Sequence, residues 1–256
     1  MSGQIVQRVD GDGVLTLWID NPAHRNALNN VLIDALAKAI NDAAVIPECR
    51  AIVLRGTDGI FCAGRELRDL QALAGAKMSD ITATYHRLRL LNEALYLCSL
   101  PTVCLVEKYA FGAGATLASW CDIALAQVEA KIAYPEVHHG IVPSPAMMAL
   151  LRGVPRKAAM ELVLTGRRID GVEAARINLV TRAVPADELE SALREVLDGI
   201  LMGSREAIAR TKEFVVHSED TGHRAAMLSA VDSISLGLAS PETARRIDAF
   251  LDRKGE

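Results

Sequence analysis

The chain has 256 residues, of which half are apolar, 23% are charged and only 4% are aromatic. A chain of this length buries about 70% of its unfolded surface, which is enough for one sizeable hydrophobic core. The apolar fraction excludes wholesale disorder. The formal net charge of −4 argues against a nucleic-acid-binding protein, because neutralising phosphates needs a basic surface.

The predicted location is the cytoplasm. The first ten residues are polar, which argues against a secretory signal. The strongly apolar runs have the length of strands and fall short of the roughly 20 residues that a membrane span needs. Five cysteines without a CxxC pair are typical of reduced, buried thiols in a cytosolic protein.

Apolar periodicity predicts an alternation of strands and helices, which is an α/β pattern. The predicted strands are residues 4–9, 14–19, 51–54, 102–106, 123–127 and 131–133. The predicted helices are residues 29–44, 80–97, a segment ending near 120, a segment capped by Ser144, 155–164 and 171–177. From residue 187 onward the pattern is almost wholly helical. The composition therefore predicts a core of residues 1–185 and a helical region of residues 186–256.

Two turns rich in small residues each join a predicted strand to a predicted helix. They are residues 61–67, with the sequence FCAGREL, and residues 111–116, with the sequence FGAGAT. Helix starts present unpaired backbone N–H groups, and small residues let a ligand approach them. Two such turns aimed at one point form an oxyanion hole, whereas each turn alone is equally typical of a tight connection.

A third segment, residues 134–143, carries a carboxylate in an apolar loop. In such a loop Glu136 has a raised pKa and is suited to act as a base, the alternative being an exposed glutamate. His138 and His139 are adjacent, so in an extended segment they point in opposite directions. That spacing disfavours a shared metal site.

These three segments, in this order, resemble the enoyl-CoA hydratase/isomerase (crotonase) superfamily. Further matching segments are residues 24–28, 51–54, 101–122, 164–167 and 250–251. The resemblance implies a ββα spiral with a helical C-terminal region that forms trimers or dimers of trimers. It also implies acyl-CoA thioester substrates, as in fatty acid metabolism, and no cofactor beyond the coenzyme A of the substrate.

The resemblance also implies roles for individual residues. The backbone N–H groups of Arg65 and Ala113 would hold the thioester oxygen, and Glu136 would be the base. Thr116 occupies the position where hydratases carry a second glutamate. This pattern is similar to that of single-glutamate enoyl-CoA isomerases. The alternatives are hydratase, dehydratase or other thioester chemistry, with His138 or His139 assisting, and a catalytically weak acyl-CoA-binding protein.

For coenzyme A, the resemblance points to Arg25, Ala27, Ala63, Arg65 and Lys254. Arg65 departs from the small residue that is commoner at its position. Its side chain is therefore left with three readings: a pair with Glu66, a contact to a phosphate of coenzyme A, or a contact to a carboxylate on the substrate.

Overall fold

The structure, a computed structural model, describes residues 3–254, and side chains as far as residue 252. Within that part of the chain, strands and helices alternate before a run of helices. The strands are β1 (Gln4–Val9), β2 (Val14–Asp20), β3 (Ala51–Gly56), β4 (Thr102–Val106), β5 (Tyr109–Phe111), β6 (Ile123–Gln127), β7 (Lys131–Ala133) and β8 (Arg182–Val184). The helices are α1 (Asn30–Ala44), α2 (Leu67–Leu73), α3 (Met78–Tyr96), α4 (Ala113–Trp120), α5 (Ser144–Leu150), α6 (Arg156–Thr165), α7 (Gly171–Arg176), α8 (Leu189–Met202), α9 (Arg205–Asp220), α10 (His223–Leu238) and α11 (Pro241–Lys254).

A six-stranded sheet in the order β1-β2-β3-β4-β6-β8 forms the centre of the fold. Only the β1–β2 pair is antiparallel. Alternate residues of the parallel strands face two separate hydrophobic clusters, so Ile52 and Leu54 lie on one face and Val53 on the other. The first face packs against helices such as α1, and the second packs against α8. Burial on both faces explains why β3 and β4 read as continuous apolar runs.

A second, smaller sheet pairs β5 with β7 in parallel. The segment of residues 60–64 joins it through a parallel bridge between Cys62 and Ala110. Each unit of the spiral therefore consists of a strand in the large sheet, a short strand in the small sheet, and one or more helices. The units are β3 with residues 60–64 followed by α2 and α3, β4 with β5 followed by α4, and β6 with β7 followed by α5 and α6. This is the predicted ββα spiral.

Most predicted elements are confirmed, and three details were wrong. Ser144 was predicted to cap α5, but it is the first residue of that helix, and the capping position belongs to Pro143. Strands β5 and β8 were not predicted whereas β7 was, although all three have three residues, because so short a run carries little periodicity. The segment after Pro135 is one turn of 3-10 helix, Glu136–His139, and is not extended. After β8 the structure shows only helices up to residue 254, while a division at residue 185 stays a prediction.

Asn26 holds the loop before α1 against the segment that carries the first glycine turn. Its side chain is fully buried and its φ is +56°, a conformation that asparagine tolerates better than most residues. Its Oδ1 accepts from the Asn21 N–H at 2.9 Å, and its Nδ2 donates to the carbonyls of Thr57 and Ile60 at 2.9 and 2.6 Å. Asn26 is thus the polar link between the two loops.

Replacing Asn26 with alanine is expected to lower the free energy of unfolding by about 3 kcal/mol or more, because several buried backbone groups lose their partner at once. Urea denaturation followed by circular dichroism measures this change.

The matched control is Asn178→Ala. Asn178 also has a positive φ, +61°, but it is exposed and makes no side-chain hydrogen bond in the described part of the chain. The control is expected to lower the free energy of unfolding by only about 1 kcal/mol, because alanine adopts the left-handed conformation less readily than asparagine. Equal losses in the two variants would contradict the role assigned to the Asn26 side chain.

Candidate active site

The small sheet brings three segments of the chain to one edge. Residues 61 and 62 donate to the carbonyls of Glu107 and Tyr109, and Phe111 donates to the Cys62 carbonyl. Gly112 donates to the Ala133 carbonyl at 2.9 Å, which ties the end of β5 to the end of β7. Because neighbouring strands run parallel, the residues that follow them emerge at the same edge. The residues that follow the three segments are the two glycine turns and the turn that carries Glu136.

Two backbone N–H groups at this edge are free. In residues 3–254, neither the Arg65 N–H nor the Ala113 N–H donates to another group of the protein. Ala113 is the first residue of α4, so its N–H lacks a partner for the usual helical reason. Gly64 has a φ of +96°, and a Cβ there would lie 2.6 Å from the Phe111 carbonyl oxygen and 3.6 Å from the Ala113 nitrogen. The two turns are therefore in close contact, which only glycine at position 64 permits.

Glu136 lies directly over the second turn. A Cβ placed on Gly112 would sit 3.0 Å from Oε1 of Glu136, and the φ of Gly112 is +50°. The other carboxylate oxygen, Oε2, is buried and has no hydrogen-bond partner in the described structure. Burial raises the pKa of the Glu136 carboxyl, while its own backbone N–H and the nearby His139 lower it less. A partly desolvated carboxylate with one oxygen free of donors is a stronger base than an exposed one.

These groups face one cavity of about 110 Å³. Of the residues predicted to form the site, five line it: Ala63, Arg65, Ala113, Thr116 and Glu136. Most of the other lining residues are apolar, among them Leu67, Leu70, Leu88, Phe111, Ile141 and Val142. A largely apolar wall with a few converging polar groups is the usual form of a small-molecule site.

Thr116 lies on α4 one turn after Gly112 and is 2% exposed. Its hydroxyl donates to the Gly112 carbonyl at 3.0 Å, within the same helix. The hydroxyl proton is therefore engaged by the backbone. A threonine hydroxyl in this position supplies no carboxylate chemistry near neutral pH.

Of the residues predicted to bind coenzyme A, Arg25, Ala27, Ala63 and Arg65 lie in or next to the first turn, and not all of them line the cavity. Ala63 lines it, and its N–H donates to the Arg25 carbonyl at 3.1 Å. Ala27 precedes Leu28, whose N–H donates to the Gly64 carbonyl at 2.7 Å. The Lys254 side chain lies outside the described residues. The structure thus joins Arg25 and Ala27 to the turn through the backbone alone.

The two histidines separate because they belong to a 3-10 turn. His138 Nε2 lies 2.8 Å from the Thr165 carbonyl oxygen, so His138 holds the segment against the end of α6. His139 lines the cavity and stays exposed. The prediction that they point apart agrees with the structure, although the extended conformation on which it was based is wrong.

Tyr85 is a lining residue that the sequence did not reveal. It lies on α3, which contributes none of the sequence motifs described above. Its hydroxyl makes no hydrogen bond in the part of the chain that the structure describes. Nothing in the local pattern distinguishes Tyr85 from a tyrosine that packs on the core.

A model of the enoyl-CoA hydratase/isomerase family matches residues 10–248 of the chain. The chain belongs to this family. A Mycobacterium tuberculosis protein named probable enoyl-CoA hydratase is 30% identical over 253 residues, covering 98% of this chain and 95% of the relative. A Rattus norvegicus protein named enoyl-CoA hydratase domain-containing protein 3, mitochondrial, is 29% identical, covering 95% of this chain and 80% of the relative.

The family assignment extends to the fold. The crystal structure of an enoyl-CoA hydratase of Mycobacterium smegmatis superposes with a TM-score of 0.93 at 28% identity, covering 97% of this chain and 96% of that one. The protein is therefore an acyl-CoA-processing enzyme of the enoyl-CoA hydratase/isomerase family with the crotonase fold. No described helix is both long and apolar enough to cross a bilayer. The cytoplasmic location stays a prediction.

The raised pKa of Glu136 predicts a pH-dependent cost in stability. The folded state keeps the Glu136 proton to a higher pH than the unfolded state does. Stability is therefore lost as the pH rises through the folded-state pKa, which lies above 4.5. We expect Glu136→Gln to be more stable than the parent at pH 7, with a difference that vanishes toward pH 4. Urea denaturation at a series of pH values measures it.

Glu129→Gln is the matched control, because Glu129 lies exposed in the turn between β6 and β7. We expect no comparable gain for that variant. A Glu136→Gln protein that is less stable than the parent at pH 7 would contradict the desolvation of this carboxylate.

Proposed function

We propose that the protein is an enoyl-CoA isomerase that moves the double bond of a 3-enoyl-CoA to the 2-position. One observation carries the proposal. Glu136 is the only carboxylate among the described residues that line the cavity, and Thr116 stands where a second one would be needed for hydration. Adding water across a double bond uses one group to hold the water and another to move the proton. A shift of a double bond needs only one base.

The proposed reaction has two proton transfers. Glu136 removes a proton from the α carbon, and the electron pair of that C–H bond enters a dienolate. The Arg65 and Ala113 N–H groups donate to the dienolate oxygen, which is where negative charge develops. The protonated Glu136 then returns its proton to the γ carbon, and the double bond becomes conjugated with the thioester. No proton is gained or lost overall.

The environment of Glu136 supports this role. Its Oε2 has no protein donor, so the proton acceptor is not already engaged. Its raised pKa places its basicity closer to that needed for carbon acids than an exposed glutamate has. The same environment favours the return of the proton, because burial stabilises the neutral acid only until the dienolate, held in the same cavity, takes the proton at its γ carbon.

Hydration remains the second candidate, because the relatives described above carry the name hydratase. In this chain His139 is the cavity residue that offers a second acid or base. A third reading is a catalytically weak acyl-CoA-binding protein. Free oxyanion donors beside a carboxylate favour an active enzyme over that reading.

For the rest of the substrate we propose that the backbones of Ala27 and Ala63 receive coenzyme A. Basic side chains at Arg25 and Lys254 would bind its phosphates. We also propose a homotrimer or a dimer of trimers. An exposed apolar stripe on α10 supports this assembly, and its members are Met227, Val231, Ile234 and Leu238. Sedimentation equilibrium tests it, and a monomer at micromolar concentration would contradict it.

Glu136→Gln is expected to lower the rate of isomerisation about a hundredfold to ten-thousandfold, because glutamine cannot accept the α proton. Binding of a saturated acyl-CoA should change little, since the oxyanion donors are backbone groups. The assay supplies a 3-enoyl-CoA and follows the absorbance of the conjugated thioester. Calorimetry measures binding of the saturated ester.

Glu129→Gln is the control for that experiment as well. Full activity of Glu136→Gln on the 3-enoyl ester would contradict the mechanism. A parallel assay with a 2-enoyl-CoA, analysed by mass, detects added water. Efficient hydration by the parent would favour the hydratase candidate and show that Thr116 is no barrier.

A further inference from the structure

The Arg65 side chain occupies the wall of the cavity between the first glycine turn and α2. It is 9% exposed, so the guanidinium is almost entirely removed from bulk solvent. The residue lines the same cavity as Glu136. The proposed reaction uses only the backbone N–H of Arg65 and assigns no role to its buried positive charge.

The hydrogen bonds of this guanidinium are incomplete. It has five N–H donors, and Nη2 donates to Oδ1 of Asn30 at 3.0 Å. The Asp69 carboxylate lies 3.6 Å from Nη2, beyond a normal hydrogen bond. Nη1 is buried and has no partner within residues 3–254. Buried donors are nearly always satisfied, so an unpaired one on a residue that lines a cavity indicates a missing acceptor.

The surrounding charges do not compensate Arg65. Asp69 is 33% exposed, and its attraction competes with solvent. Desolvation lowers the pKa of Arg65 even though Asp69, Tyr85 and Glu66 act to raise it. The positive charge is therefore undercompensated where it stands, and a further anion beside it would stabilise the site.

The remainder of this wall is apolar apart from one hydroxyl. Leu67, Leu70 and Leu88 line the cavity with Arg65. The Tyr85 hydroxyl, also at the cavity, has no hydrogen bond in the described structure. A plain hydrocarbon acyl chain would fit the leucines but would leave the unpaired Nη1 without an acceptor. An acyl chain that ends in an acceptor avoids that cost.

We propose that Arg65 is a specificity-determining residue whose side chain binds a carboxylate at the far end of the acyl group. The substrate class is then the coenzyme A monothioester of a short unsaturated dicarboxylic acid. The acid is short because one residue contacts both ends, through its N–H at the thioester oxygen and its guanidinium at the carboxylate. This inference rests on the proposed acyl-CoA site but not on the isomerase reaction.

A purely structural role for Arg65 predicts something different. The hydrogen bond to Asn30 links the first glycine turn to the start of α1, and a structural role would consist of that link alone. A structural link would affect all acyl-CoA esters equally when it is removed. A carboxylate-binding role affects only the esters that carry the carboxylate. The ratio of the affinities for an ester with the carboxylate and an ester without it therefore distinguishes a structural role of Arg65 from a carboxylate-binding role.

The experiment compares glutaryl-CoA with pentanoyl-CoA, and adipyl-CoA with hexanoyl-CoA, by isothermal titration calorimetry. All four esters are saturated, so binding is measured without isomerisation. The Arg65 guanidinium and the glutaryl carboxylate would form charge-assisted hydrogen bonds, which are roughly twice as strong as neutral ones, whereas pentanoyl-CoA offers no acceptor there. We therefore expect glutaryl-CoA to bind at least ~10-fold more tightly than pentanoyl-CoA. In Arg65→Gln this ratio should fall to near one, whatever change in affinity the two esters share.

Two further variants keep the test decisive. Arg68→Gln is the matched control, since Arg68 is exposed on α2 and does not line the cavity; its ratio should equal that of the parent. Arg65→Lys should keep part of the preference, because it keeps the charge but loses the planar fork. If Arg65→Gln does not fold, Arg65→Lys still tests the proposal. A ratio between one and the parent's value supports it, and a ratio equal to the parent's overturns it.

The outcomes distinguish this inference from the proposed function. Equal affinity of the parent for charged and uncharged esters would overturn the carboxylate assignment and leave the acyl-CoA site in place. A preference that survives in Arg65→Gln would overturn Arg65 as the residue responsible. Failure of the folded parent to bind any of the four esters would overturn this inference together with the acyl-CoA site.

Discussion

The candidate site depends on the hydrogen bonds that join residues 61–62, β5 and β7. They are few, and they connect segments that are far apart in the chain. Because all three segments run parallel, the residues that follow them meet at one edge. The first oxyanion donor, the second donor and the base each follow a different segment. Loss of this small sheet would separate the three groups even if the large sheet remained intact.

The cavity combines several polar groups that the protein leaves unpaired. Two are the backbone N–H groups of the glycine turns, and two are side-chain atoms, Oε2 of Glu136 and Nη1 of Arg65. Each costs stability in the absence of a ligand, since a buried polar group without a partner loses its hydration. The fold tolerates this cost because the large sheet is buried on both faces. Stability and function are thus divided between the two sheets.

The sequence predicted the elements with strong apolar periods and the residues that belong to motifs. Helix α1 and strands β3 and β4 belong to the first group, while Arg65, Ala113 and Glu136 belong to the second. The sequence did not predict β5 or the 3-10 turn at Glu136, because short elements are determined by pairing with distant segments and not by local pattern.

The hydrogen-bond partners of individual side chains also could not be predicted from the sequence. The bonds of Asn26 to Thr57 and Ile60 connect residues more than thirty positions apart, so no local spacing reveals them. The contact of Tyr85 with the cavity is of the same kind, since its helix carries no motif. That Nη1 of Arg65 lacks a partner is known only from the positions of all neighbouring residues in the structure. Among the three readings of Arg65, only the arrangement of these neighbours favours one.

The difference between Gly112 and Thr116 bears on how such an enzyme evolves. Position 112 accepts no side chain for two reasons. Its positive φ is unfavourable for a residue with a Cβ, and that Cβ would occupy the space of the Glu136 carboxylate. Position 116 faces the same cavity from a regular helix, where most residues are conformationally allowed. Selection can therefore exchange the residue at 116 while the oxyanion donors and the base stay fixed. A lineage built on this scaffold is free to acquire new reactions one helical residue at a time.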